Sequence, residues 1–106
     1  MTLANFLIDE DASLREALLL IENNHHGIIL TIDSSGAVTG LATDGDIRRM
    51  LLEGGLLDDS IALCVNPDFL WETPSTPREL LLKKLDSRTR VIPLLDENRH
   101  LVSIVS

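Results

Sequence analysis

Apolar and polar residues along this chain follow two periods. Leu14, Ala17, Leu18 and Ile21 recur at helical spacing, and Ser13 with Glu16 three residues on forms a capping-box signal just ahead of them. The pattern predicts a helix from there to near Asn24, after a short apolar run over 5–8. Residues 28–32 form a β-branched run and Val38 to Ala42 a second strand, with Ser34-Ser35-Gly36 between them as a turn, so a hairpin is expected. The stretch Val38 to Leu52 then reads as strand, polar turn and helix, with Gly45 permitting the turn and Ile47, Met50 and Leu51 at helical spacing. Gly54-Gly55 breaks the chain, and Leu56 to Val65 reads as a short apolar helix or connector before Asn66-Pro67.

From there the pattern begins again. An offset of 63 positions pairs Phe6 with Phe69, Arg15 with Arg78, Glu16 with Glu79, Ile29 with Ile92 and Asp33 with Asp96 without a gap. The same offset sets Ser13 on Thr76 and Thr43 on Ser106. Repeats of this kind arise where one unit cannot bury its apolar face without a neighbour. Residues 1–62 are therefore read as repeat one with a connecting helix, and 63–106 as repeat two. The fold class is α+β: two β-α-β-β units related by a pseudo-twofold axis, the second truncated before its last helix. On this reading the chain is a fragment.

Composition narrows the functions. The 106 residues are 44% hydrophobic, which argues against disorder, and the formal charge of -8 disfavours nucleic acid, whose affinity rests on Lys and Arg. Cys64 is the sole cysteine. That excludes an internal disulfide and, with no membrane-length apolar segment or basic leader, sets the cytoplasm as the expected location. Leu18-Leu19-Leu20-Ile21 and Leu80-Leu81-Leu82 exceed what one helix face buries. Contiguous exposed apolar surface predicts a homodimer through these helices or through the helix of Ile47 to Leu52, unless a further domain covers them.

The candidate chemistry gathers at Thr43, Asp44 and Asp46, whose side-chain oxygens stand where a helix start offers N–H groups. Asp46 is also a favoured residue for a plain helix cap. The Asp44-Gly45-Asp46 triplet lacks a third carboxylate for a metal, and an EF-hand count from Asp44 ends on Gly55 instead of Glu. No Ser, Cys or Lys stands in a nucleophile motif, and His25, His26 and His100 lack ligand spacing, so neither catalysis nor a metal is expected.

With repeat and motif together, the chain resembles a tandem pair of cystathionine-β-synthase-type (CBS) domains, a Bateman module, over its whole length. Gly40-Leu41-Ala42-Thr43-Asp44-Gly45-Asp46-Ile47 meets the family pattern of a glycine, two apolar residues, Thr or Ser, two residues, Asp and a helix. Copy two meets it as far as Ser106, with Ser103 in place of the glycine. The longer string through Arg48-Arg49 to Gly54 resembles pairs fused N-terminally to sugar-phosphate nucleotidyltransferases. Arabinose-5-phosphate isomerases carry a similar string, with the pair following the sugar isomerase domain.

The resemblance implies a regulatory, non-catalytic sensor of AMP, ADP or ATP with no cofactor, controlling an attached nucleotidyltransferase. It implies two clefts between the repeats. Adenine would lie near Ile28, Thr43 and the turn N–H groups would face phosphate, and Asp46 would accept from the ribose hydroxyls, with Asp44 beside it and Ser106 in the second cleft. Arg48 is a further candidate for neutralising phosphate. The alternatives are a structural dimerisation module without ligand and the pair of an arabinose-5-phosphate isomerase.

Overall fold

The computed structural model describes residues 2–106. The chain divides into two compact units, the first ending at Phe69 and the second beginning at Leu70. In the first, β1 (Leu7–Asp9) leads to α1 (Leu14–Asn24), then β2 (Ile28–Ile32), β3 (Val38–Thr43) and α2 (Asp44–Leu52). The sheet order is β1-β2-β3, with β1 parallel to β2 and β2 antiparallel to β3. Both helices and one sheet face close on a core of Ile8, Leu14, Ala17, Ile21, Ile29, Ala42 and Ile47, joined by Ile61 from the connecting segment. This cluster is aliphatic, in a chain with 3% aromatic residues, and Phe6 and Phe69 are buried as well. No described helix is long and apolar enough to cross a membrane.

Ser13 caps α1, its side chain accepting the Glu16 N–H at 3.2 Å. The next donors are met from the connecting segment: Leu14 N–H reaches the Asp59 carbonyl at 2.9 Å and Arg15 N–H the Leu57 carbonyl at 3.0 Å. Leu56 to Val65 is thus a connector rather than a helix, with one 3-10 turn at Ile61–Leu63 that drives Ile61 fully into the core. It returns to the sheet where Leu41 and Asn66 exchange both backbone hydrogen bonds, at 3.0 and 2.8 Å. That return runs close to Gly40, where a Cβ would lie 3.1 Å from the Val65 Cβ and 3.2 Å from the Thr31 hydroxyl. The motif glycine is a packing requirement of β3.

The second unit holds α3 (Arg78–Lys84), β4 (Ile92–Leu95) and β5 (Leu101–Val105). Its hairpin reproduces the first pair by pair. Ile92 faces Val105 as Ile29 faces Ala42, Leu94 faces Ser103 as Thr31 faces Gly40, and Leu95 faces Leu101 as Ile32 faces Val38. Even the bulge recurs, between Leu94 and Leu95 as between Thr31 and Ile32. An offset that preserves register and bulge together preserves which side chains face the core, since a one-residue slip would reverse every one of them. A parallel bridge from Glu72 to Leu94 stands where β1 lies in the first unit.

The helices differ more. Thr76, the offset partner of Ser13, does not cap α3: the cap position is Pro77, extended at ψ 138°, with no side-chain bond. The Thr76 hydroxyl is 3.3 Å from that of Thr73, across a turn closed by Thr76 N–H to the Thr73 carbonyl at 3.0 Å. Helix α3 accordingly has 7 residues against 11 in α1. Leu19, Leu80 and Leu82 are exposed, and Leu52 at the end of α2 is 87% exposed.

Candidate functional site

Strand β3 passes into α2 without an intervening loop. Thr43 ends the strand and is at once the helix N-cap, so Gly45, expected to make a sharp turn, lies inside the first helical turn. A Cβ there would meet the Thr43 hydroxyl at 3.6 Å, an ordinary contact, so the backbone does not require glycine at this position. Thr43 and Asp46 form a reciprocal capping box. The Asp46 N–H donates to Thr43 Oγ1 at 3.0 Å, and the Thr43 N–H donates to Asp46 Oδ2 at 3.0 Å. The cap role weighed for Asp46 is thus occupied by one oxygen. Its Oδ1 accepts from Arg49 Nη1 at 3.3 Å, and a carboxylate retains further acceptor positions beyond these two.

Antiparallel pairing sets Ile28 directly opposite Thr43. Just before it, the Gly27 carbonyl accepts the Asp44 N–H at 3.0 Å. Asp44 leans over Gly27, where a Cβ would be 3.7 Å from its Oδ1, and its Oδ2 lies 3.7 Å from Arg48 Nη1. Ile28, Thr43, Asp44 and Asp46 therefore gather at one end of the first sheet. Ile28 is buried and Asp46 about one-third exposed along its side chain. Arg48 is ion-paired along its own helix and open to solvent. Ser106 follows β5 in the second unit and is exposed, next to Val105, which holds the register position of Ala42.

Three supports of this end escaped the motif reading. Asn24, buried at the close of α1, donates from Nδ2 to the carbonyls of Asn5 and Ile28, both at 2.9 Å, and accepts the His26 N–H on Oδ1 at 2.8 Å. His26 returns its Nδ1–H to the Asn24 carbonyl at 2.6 Å and tilts its ring against Phe6 at 5.3 Å. His25 and Gly27 both take positive φ, 58° and 73°, which turns the chain out of the helix and into β2. The cue available was Asn24-His25-His26-Gly27, an Asn and a Gly bracketing a helix end.

Cys64 packs on the first core. Burial pushes its thiol up from 9.0, and the negative charge of Asp46 adds to the effect. Thiolate is the reactive form, so at about pH 8 native Cys64 should react with a disulfide reagent more slowly than in denaturant. Asp46→Asn should speed it. An unchanged labelling rate in that variant would show that the Asp46 charge does not reach the thiol.

Fold and site together define a repeated α+β module whose polar groups collect at a strand-to-helix junction. The family model described as "CBS domain" matches residues 1–53. The chain belongs to the CBS-domain family, and a CBS domain is a regulatory module, not itself catalytic. Arabinose 5-phosphate isomerase GutQ of Salmonella typhimurium is 28% identical over 98 residues, covering 89% of this chain and 30% of that protein. The chain thus spans about 30% of the length of such curated relatives. Among solved structures, the CBS domain protein PAE2072 from Pyrobaculum aerophilum, complexed with AMP, has a TM-score of 0.80 at 18% identity, over 94% of this chain and 78% of that one. The CBS domain pair of MJ0100, in complex with 5′-methylthioadenosine and S-adenosyl-L-methionine, reaches 0.81 at 19% identity, over 95% and 80%. At these identities they show the fold, a CBS pair.

Proposed function

We propose that this chain is an adenosine-ligand sensor that controls an attached enzyme of sugar-phosphate metabolism. One observation carries the reading: pairing of β2 with β3 brings the apolar Ile28 and the polar Thr43-to-Asp46 start of α2 to the same edge. An apolar wall suits adenine, and a carboxylate, an acceptor with more sites than its cap uses, suits the two ribose hydroxyls. Ser106 would supply the matching hydroxyl in a second site. The AMP, methylthioadenosine and S-adenosylmethionine complexes of structural neighbours support the ligand class.

For the attached enzyme, the isomerase relatives favour an arabinose-5-phosphate isomerase type; nothing in them speaks for the nucleotidyltransferase suggested by the Arg48-Arg49 string. Regulation would follow from differential affinity, since a ligand shifts the enzyme only if it prefers one arrangement of the module. The exposed Leu19, Leu52, Leu80 and Leu82 would serve a homodimer, and the lone Cys64 fits a reducing, cytoplasmic setting.

Asp46→Ala tests the assignment. Hydrogen bonds to a charged group contribute roughly 1.5–3 kcal/mol each, so calorimetry should show at least a tenfold loss of adenosine-ligand affinity. Loss of the capping box should lower stability by about 1 kcal/mol as well. Binding equal to wild type would end the ribose role. If AMP, ADP, ATP, S-adenosylmethionine and nucleotide sugars all leave the wild-type melt unmoved, the module is one of dimerisation only, because a native-state ligand must raise the melting temperature.

A further inference from the structure

The start of α2 has little left to offer an anion. Phosphate at a helix N-terminus is held by unpaired N–H groups and the positive end of the dipole. Here the Asp44 N–H is given to Gly27 and the Asp46 N–H to Thr43 Oγ1, which leaves the Gly45 N–H as the first-turn donor with no partner among the described residues. The dipole end is already met by two carboxylates, Asp44 and Asp46. Each has its own arginine on the same helix, at 3.7 and 3.3 Å, so neither guanidinium is an uncommitted cation. Asp44 also overhangs Gly27, the residue before Ile28, which puts its charge at the edge where the ligand would enter. The net charge of -8 acts in the same direction at longer range.

We infer that the first-unit site selects adenosine derivatives whose 5′ group is uncharged or cationic, a thioether or a sulfonium, over 5′-phosphates, and that Asp44 sets this preference. The inference rests on the adenosine-sensor reading and narrows its ligand. Asp44 is a specificity residue in it, and Asp46 the ribose acceptor.

The test is calorimetric titration of wild type, Asp44→Asn and Asp44→Ala with 5′-methylthioadenosine, S-adenosylmethionine, AMP and ATP, at low and high salt. Wild type should bind the thioether and sulfonium compounds at least about tenfold more tightly than AMP, and its AMP affinity should rise with salt as repulsion is screened. In both variants AMP affinity should rise about five- to tenfold relative to methylthioadenosine affinity, as expected for removing one like charge near a half-exposed site. An AMP-to-methylthioadenosine ratio unchanged in both variants overturns the role of Asp44 and leaves the adenosine reading standing. Wild-type preference for AMP or ATP overturns the selectivity. If no adenosine compound binds any of the three proteins, the sensor reading itself falls.

Discussion

Asn24→Ala is expected to lower the unfolding free energy by about 2–4 kcal/mol, because buried polar groups left without partners cost roughly 1–3 kcal/mol each. Three groups are affected: the carbonyls of Asn5 and Ile28 lose a donor, and the His26 N–H loses its acceptor. The loss should also reach the site, since Ile28 is opposite Thr43 and the Gly27 carbonyl holds the first N–H of α2. Asn24→Asp separates the polar from the steric part. An ionised carboxylate cannot donate and would face two carbonyl oxygens, so its folded pKa should rise above the unfolded value of about 3.9. A folded state that holds its proton more tightly loses stability as pH rises from that value upward. Relative to wild type at the same pH, Asn24→Asp should therefore be mildest in acid and worst near neutrality. Urea melts across that range check it, and a pH-independent difference between the two proteins would show that the donor bonds of Asn24 are not the source of its contribution.

What could be read in the sequence follows from which forces leave a periodic trace. Burial does, so α1, the β2–β3 hairpin and the offset of 63 were legible, and the offset holds to the level of the bulge. Hydrogen bonds made at single positions do not. Ser13 and Thr76 look alike as hydroxyl residues, yet Pro77 and the Thr73-to-Thr76 turn divert the second from capping. Gly45 looked like a turn because glycine usually marks one. Its helical place was decided by the cap on either side of it, Thr43 and Asp46 exchanging backbone bonds across three residues. Asn24 left no motif because its three partners, the Asn5 carbonyl, the His26 N–H and the Ile28 carbonyl, lie before β1, after α1 and on β2, places that only folding brings together. The candidate residues of the first unit were thus legible as types, and the backbone partner that orients them, the Gly27 carbonyl, was not.

The position of that turn depends on one side chain more than on any other. Ile47 is the sole buried residue of α2 and is fully inaccessible, in the core with Ile8, Ile29 and Ala42. Met50 and Leu51 only partly cover the same cluster. Isoleucine-to-alanine changes in such surroundings cost about 2–5 kcal/mol. Ile47→Ala should reach that range against a total of roughly 5–15 kcal/mol for a folded domain. A nine-residue helix with a single fully buried anchor has little else to hold it, so its amides should lose exchange protection before those of the sheet. Because Asp44 and Asp46 ride on the same turn as Ile47, adenosine affinity should fall with that protection even though Ile47 is sealed in the core. Ile47→Val, which keeps most of the volume and costs about 0.5–1.5 kcal/mol, should retain binding. Hydrogen exchange read beside calorimetry makes the separation: wild-type affinity in Ile47→Ala with an unprotected α2 would mean that the ligand does not depend on the start of this helix, and the site would have to be sought elsewhere in the pair.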